Sequence, residues 1–322
     1  MQTITATQLA YLRERGVLSA TITASPVEGD QFTIDSNYIR DLSIDRRSVT
    51  RDSVEIGNAY ASELVLELEN DGGNFSSIVW EGARLTVVLD IGGEPLQAGI
   101  FTVDEQPRKF SIMKIRALDD IAKFNRPYRT DLVYPATLEQ ILEDACTKCG
   151  VTQSTFSIDN GDYSVTEKPS SEYTFHQIVC FIAELSGSNA WIDHLGRLRL
   201  AWYTSYPVTI DHAIMNTYSM EESDITITGI VCRSSAVGYT AGTEDYPLVI
   251  EENPLFINGS PFAPAEILYG KIGGFTYRPY SLKIFKYPHL WPGDMITITD
   301  SDNNQISSII THHKFNLRSG SS

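Results

Sequence analysis

The spacing of two cysteines is the first feature of this sequence that could support chemistry. Cys146 and Cys149 form a C-x-x-C motif, the spacing found in zinc sites and in redox-active thiol pairs. Zinc would need two more ligands at similar spacing, whereas Cys180 and Cys232 each stand alone. A redox pair belongs at a helix N-terminus, where the helix dipole lowers the thiol pKa, and this pair lies at the C-terminal end of a predicted helix. We therefore expect buried structural thiols.

Histidines and paired acids offer no second catalytic arrangement. His312 and His313 are adjacent on a predicted strand, so they point to opposite faces and are expected to be surface or interface residues. The pairs Asp119-Asp120, Glu221-Glu222 and Glu251-Glu252 could serve a glycosidase only if a cleft brought distant acids together, and we expect solvated faces. The sequence also lacks a G-x-S-x-G nucleophile elbow and a phosphate-binding P-loop. It predicts no catalytic residue, no cofactor and no metal ion.

The composition favours a mainly β protein. The chain has 322 residues, enough for two or three domains, and its 16 Tyr and 13 Phe favour strands over helices. The patterning predicts an N-terminal helix, a first tube-like antiparallel β-barrel, a small mixed α/β insert, and a second, related β-barrel that contains an irregular Pro/Gly-rich stretch. The predicted ranges are 1–16 for the helix, 17–130 for the first barrel, 131–218 for the insert and 219–322 for the second barrel, with the irregular stretch at 254–280.

Alternating hydrophobicity defines the strands of the first barrel. Within residues 62–70, three leucines fall on one face of a strand and three glutamates on the other, namely Leu64, Leu66 and Leu68 against Glu63, Glu67 and Glu69. The leucines are expected in the core and the glutamates on a wet face, as candidate channel-facing residues. Gly92 and Gly93 predict a tight hairpin between two further strands.

Helical patterns mark the N-terminus and the insert. Thr5 or Thr7 can cap a short helix that stops at Gly16. In the insert, one predicted helix runs from the cap Thr137 to Gly150 and a second covers residues 174–186. Two short strands around a turn at 194–197 follow. The insert therefore combines helices and strands.

A short motif occurs twice in the chain. Residues 80–87 and 291–298 share the pattern W-x-G-x-x-aliphatic-T-aliphatic, and each copy is followed by a turn and a second strand. A glycine before a strand is common in β proteins, but the matching hairpin context favours a true repeat. The repeat predicts two related barrels within one chain.

The charge distribution argues against a nucleic-acid-binding surface. The net charge is −16, and acids outnumber bases in residues 1–130, 131–220 and 221–322 alike. No segment offers the Lys/Arg stripe that phosphate neutralisation requires, so stable nucleic-acid binding is not expected. The acidic excess either keeps the surface soluble or forms a wall that DNA slides past. No apolar stretch has the length of a signal peptide core or a membrane span, which predicts synthesis in the cytoplasm and no membrane insertion.

Six segments along the chain form an ordered series. They are IGNAYASELVLELEN, WEGARLTVVLD, LQAGIFTVDEQ, YPATLEQILEDACTKCGV, TFHQIVCFIAELSGSNAWIDHLGRLRLAW and YPLVIEENPLF. Each segment is loose alone, but the series resembles phage baseplate hub proteins over about residues 17–318. This family includes the hubs of contractile tails, the N-terminal domains of tail-associated lysins, and their equivalents in prophages and phage-tail-like particles.

The resemblance implies a structural, non-enzymatic role in a virion tail. It implies a homotrimer in which two tube-like barrels per subunit place six barrels around a channel that matches a hexameric tail tube. The implied partners are the tail tube or distal tail protein, the tape-measure protein, and a tail fibre or spike, with DNA passing through the channel.

Two alternatives remain open at this point. The chain could be the N-terminal portion of a tail-associated peptidase or muralytic enzyme whose catalytic domain lies beyond Ser322. It could also be a carbohydrate-recognising receptor-binding protein that uses exposed tyrosines and tryptophans as sugar platforms. The matching positions of Trp80 and Trp291 in the repeat favour a role in the fold for these two residues.

Overall fold

A computed structural model describes residues 2–49, 53–233, 238–255, 262–318 and 320–321. Strands dominate these residues, and four α-helices accompany them, so the predicted mainly β class is confirmed. Residues 256–261 of the predicted irregular stretch lie outside the described residues. In the part of the chain that is described, no helix is both long and apolar enough to cross a membrane.

The first region of the chain is an antiparallel arrangement of seven strands preceded by a helix. The elements are α1 Ala6–Arg13, β1 Ser19–Ser25, β2 Phe32–Ile34, β3 Ile39–Arg47, β4 Glu63–Glu69, β5 Arg84–Ile91, β6 Glu94–Val103 and β7 Ile112–Leu118. The strands are neighbours in the order β3-β4-β7-β6-β5-β1-β2. In β4 the leucines are buried and the alternate residues only partly so, as period-two patterning dictates.

Local sequence signals fix the ends of these elements. Thr5, one of the two predicted caps, accepts a hydrogen bond from the Gln8 amide, and the Gln8 side chain accepts one from the Thr5 amide, which forms a capping box. The turn at Gly92 and Gly93 joins β5 and β6, with Ile91 opposite Glu94, so the predicted hairpin is confirmed.

The insert contains the predicted helices and short strands. The elements are β8 Ala136–Thr137, α2 Leu138–Cys149, β9 Thr152–Gln153, β10 Ser164–Val165, α3 Phe175–Leu185, β11 Asn189–Ile192 and β12 Arg197–Ala201. Thr137 and Thr174 each form a capping box at the start of a helix, and Gly150 ends α2.

The remaining strands and one helix complete the fold. They are β13 Thr204–Asp211, β14 Met215–Met220, β15 Ile225–Thr226, β16 Gly229–Arg233, β17 Gly238–Gly242, β18 Pro247–Glu251, α4 Phe262–Ile272, β19 Thr276–Tyr277, β20 Tyr280–Ile284, β21 Asp294–Thr299, β22 Gln305–Ile309, β23 His312–Asn316 and β24 Gly320–Ser321. One eleven-stranded sheet runs in the order β14-β20-β24-β23-β3-β4-β7-β6-β5-β1-β2, and a separate sheet has the order β13-β21-β22.

Three hydrophobic cores group these elements. The first contains the inward side chains of β1 to β7 together with Leu12 and Phe315. The second combines the insert with residues of β16, β18 and α4, and the third lies among β13, β20, β21 and the residues beside them. The packing therefore differs from the predicted ranges. Residues 204–218, placed by the sequence in the insert, pair with C-terminal strands, whereas much of 225–277 packs on the insert.

The two copies of the tryptophan motif have the same local structure. Trp80 and Trp291 are both buried, and the amide three residues after each donates to the tryptophan carbonyl, at 2.8 Å and 3.0 Å. The motif glycines, Gly82 and Gly293, donate at 2.9 Å to Val103 and to Ile310, where the second strand of each hairpin ends or has just ended. Both glycines have positive φ, 77° and 96°. The two hairpins lie in different sheets, so each copy of the motif begins a hairpin of its own.

Candidate assembly surface

Three of the four cysteines, Cys146, Cys149 and Cys232, are buried, and Cys180 is partly buried. Cys146 and Cys149 lie in the last turns of α2 with their side chains in the hydrophobic core of the insert. Burial raises the pKa of Cys146 to about 12 and that of Cys149 to about 11. Burial likewise raises the pKa of Cys180 and Cys232 to about 12. Thiols held in this protonated form are poor nucleophiles and poor metal ligands.

No metal-binding cluster is formed among the described residues by three or more His, Cys, Asp or Glu side chains. His312 is exposed and His313 is buried, as expected for adjacent residues of one strand. The Nε2 atom of His312 lies 2.9 Å from Oδ1 of Asp45 on the neighbouring strand β3. Both histidines therefore contribute to the contact between β23 and β3.

The pair Asp119-Asp120 is buried, which corrects the expected solvated face. Asp119 accepts hydrogen bonds from the amides of Ser62 and Ile121, at 2.8 Å and 3.0 Å, and so caps the 3₁₀ helix Asp120–Phe124. Asp120 forms ion pairs with Arg84 at 2.9 Å and Lys123 at 3.0 Å. The two carboxylates therefore tie the 3₁₀ helix, whose Ile121 and Phe124 lie in the core of the insert, to Ser62 and Arg84 of the first region. Glu221, Glu222, Glu251 and Glu252 are exposed as expected.

A buried polar seam joins the first region to the C-terminal strands. β23 pairs antiparallel with β3, and His313 stands opposite Arg46, both of them buried. The Arg46 guanidinium lies 4.0 Å from the centroid of the Trp291 ring and donates to the Ala98 carbonyl at 2.8 Å. The Trp291 indole donates to the Gln2 side chain at 3.3 Å. Burial lowers the pKa of Arg46 to about 9. The seam thus fixes the second motif against the first region.

The predicted channel-facing glutamates lie on the outer face of the same sheet. Glu63, Glu67 and Glu69 alternate along β4 with buried leucines and are partly exposed. Each has a cation on an adjacent strand: Arg116 bonded to Glu63, Lys114 opposite Glu67, and Arg40 at 3.6 Å from Glu69. This face is therefore a lattice of opposite charges and not a continuous acidic wall.

Sequence reasoning missed two parts of this arrangement. Asp119 precedes a short helical segment, and an Asp in that position is a known helix-capping signal that could have identified its role. Arg46 carries no such signal, because its burial depends on Trp291, which lies far away in the sequence. Charged residues on alternating strands are ordinarily expected at the surface.

Solved tail proteins share the fold of this chain. A 43 kDa tail protein of prophage MuSo2 from Shewanella oneidensis is 15% identical, with a TM-score of 0.56 over 92% of this chain and 93% of that one. A tail protein from Neisseria meningitidis is 12% identical, with a TM-score of 0.59 over 94% of each chain. The prophage tail protein gp18 from Listeria monocytogenes is 10% identical, with a TM-score of 0.57 over 92% of this chain and 90% of that one.

These similarities confirm the predicted resemblance at the level of the fold. They extend over almost the whole length of both chains in each comparison. The sequence matches no protein-family model and no curated protein. Identities this low show a common fold.

Proposed function

We propose that this chain is a non-enzymatic structural protein of a phage tail, a homotrimeric hub that continues the tail tube and connects it to the tail tip. The observation that carries the proposal is the repeated motif, because Trp80 and Trp291 begin hairpins with the same hydrogen bonds in one chain. Two related modules per chain let three subunits present six modules to a sixfold tube. The fold shared with prophage tail proteins supports a tail location.

The chemistry of the described residues supports a structural role. The thiols are buried and protonated, and the buried acids Asp119 and Asp120 are held by amides and cations. Trp80 and Trp291 are buried in the fold, so neither is an exposed platform for a sugar. The proposed partners are the tail tube or distal tail protein, the tape-measure protein, and a tail fibre or spike. Stable nucleic-acid binding is not part of the proposal.

Native mass spectrometry of the purified chain over a range of concentrations tests the proposed assembly. The expected result is a trimer that forms cooperatively as concentration increases. A chain that stays monomeric at every concentration, or that forms only dimers, would contradict the proposed hub.

A further inference from the structure

The tryptophan motif allows strands of the two halves to be matched. The motif at Trp80 begins β5 and that at Trp291 begins β21, so β6 corresponds to β22 and the next strand, β7, corresponds to β23. Each motif is preceded along the chain by an antiparallel strand pair, β3 with β4 in the first half and β14 with β20 in the second. By this order β14 corresponds to β3.

The large sheet places these matched sets side by side. Its order begins β14-β20-β24-β23 and continues β3-β4-β7. The strands β14, β20 and β23 of the second half therefore follow one another across the sheet in the same order as their counterparts β3, β4 and β7. The last strand of the C-terminal set, β23, pairs antiparallel with the first strand of the N-terminal set, β3. This contact is head-to-tail. A head-to-tail contact that is repeated between copies produces a ring when its rotation closes.

Two strand edges of the described residues, one on β14 and one on β7, could form the same kind of contact with a second copy of the chain. Among the described residues, β14 pairs only with β20 and is the terminal strand of the sheet. β7 pairs with β4 along its whole length, but with β6 only at Ala117 and Leu118. Among the described residues, its other edge therefore carries no paired strand over residues 112–115, whereas the Arg116 carbonyl already accepts a hydrogen bond from the Asp104 amide. An unpaired edge is a template for a strand of another chain.

The side chains at these two edges suit a protein contact. Tyr218 in β14 is 47% exposed and Ile112 in β7 is 36% exposed, which is unusual for large apolar groups of a strand. Lys114 is exposed on β7, and Glu221 is exposed directly after β14. A cavity of about 420 Å³, lined by aliphatic and polar side chains in similar numbers, lies beside β14 at Ser219 and Glu221. A neighbouring strand would cover the apolar groups and bring opposite charges together.

We propose that β14 of one copy of the chain pairs antiparallel with β7 of the next copy, which repeats between subunits the contact that β23 and β3 make within one subunit. The occupant of each edge is a second copy of this chain. The inference rests on the proposed ring for its closure, and it specifies which surfaces of the subunit form that ring.

Engineered disulfides test the contact. The chain is prepared with Lys114→Cys combined in turn with Asn216→Cys, Thr217→Cys, Tyr218→Cys or Ser219→Cys, which samples the registers that an antiparallel pair can adopt. Mild oxidation should give covalently closed trimers in at least one combination, because paired strands bring Cα atoms within the roughly 7 Å that a disulfide allows. The native thiols are mainly buried and contribute little background.

Matched controls make the contact specific. Each single-cysteine variant should remain uncrosslinked, since a head-to-tail contact does not bring a residue opposite itself, and a mixture of the two single variants should stop at dimers. Lys114→Cys combined with Thr33→Cys on β2, the opposite end of the sheet, should not crosslink. In the wild-type chain, backbone amides of β7 and β14, but not of β2, should become protected from hydrogen exchange on assembly.

The outcomes separate this contact from the proposed function. If native mass spectrometry shows trimers while all four combinations fail to crosslink and β7 and β14 gain no protection, the strand contact is wrong and the ring remains. Self-crosslinking of a single variant would indicate a two-fold contact and would also overturn the inference. A chain that never assembles would overturn both proposals.

Discussion

At the residue scale, Asp119 shows how burial in the interior of this protein shifts the pKa of an ionisable group. Burial raises the pKa of this carboxyl to about 7, although the hydrogen bonds from Ser62 and Ile121 oppose the shift. Its neighbour Asp120 shares the capped 3₁₀ helix and is paired with Arg84 and Lys123. The Asp119 carboxyl holds the start of the 3₁₀ helix to Ser62, where the first region meets the core of the insert.

The raised pKa of Asp119 predicts a pH-dependent stability. The folded state holds this proton more tightly than the unfolded state, whose carboxyl titrates near 3.9. The contribution is therefore fully present below about pH 4 and is lost as pH rises through about 7. Relative to Asp119→Asn, the wild-type free energy of unfolding should fall by a few kcal/mol between pH 4 and pH 8, as measured by denaturant titration. A difference that does not change with pH would contradict the assigned pKa.

The thiols give a second residue-scale prediction. Because burial raises the pKa of Cys146, Cys180 and Cys232 to about 12, the native chain should react very slowly with a disulfide-exchange reagent at pH 8. After denaturation all 4 cysteines should react at once. Elemental analysis should find no stoichiometric zinc. Rapid native labelling, or one zinc ion per chain that Cys146→Ser removes, would contradict the structural role.

The glutamates on the exposed face of β4 give a third residue-scale prediction. We expect Glu63, Glu67 and Glu69 to line the channel of the assembled ring, on the face opposite the buried leucines of β4. A Glu67→Cys variant in the ring should react with a small maleimide but much more slowly with one carried on a globular protein that cannot enter the channel. Glu167→Cys, at an exposed position of the insert, is the control and should react with both. Equal rates for Glu67→Cys would place this face outside the ring.

At the element scale, the repeated motif depends on glycine in the left-handed region. Gly82 and Gly293 have positive φ, and a Cβ at either position would lie 3.0 Å from a neighbouring side chain, Val27 or Trp191. Gly82→Ala and Gly293→Ala should each lower the free energy of unfolding by roughly 1–3 kcal/mol. Gly238→Ala, where φ is not positive and contacts are distant, is the control. Two neutral substitutions would show that neither motif depends on its glycine, and one neutral substitution would show that the two motifs are not equivalent.

Elements governed by local signals could be predicted from the sequence, and those governed by distant partners could not. The helices that begin at Thr137 and Thr174 are marked by caps and apolar stripes within one window, and the hairpin at Gly92 by its turn residues. β13 carries no local signal of its partner, because it pairs in parallel with β21 about ninety residues later. The predicted insert range therefore included strands that belong to the C-terminal sheet.

At the scale of the whole molecule, one sheet connects the two halves of the chain. The pairing of β23 with β3 makes a continuous eleven-stranded surface, and the buried contact of Arg46 with Trp291 joins β3 to the segment before β21. The family resemblance indicated the number of modules, but not their arrangement in one sheet. That arrangement follows from strand pairings between residues more than 250 positions apart, which no local pattern encodes.

The central claim is a closed ring of three subunits that displays six related modules around a channel. Electron microscopy of the assembled chain, averaged along the ring axis, tests it most directly. The account predicts a closed ring with a central pore, threefold symmetry overall, and six similar densities around the pore, each containing one tryptophan hairpin. A solid particle without a pore, or a ring in which the modules at Trp80 and Trp291 lie at clearly different radii, would contradict it.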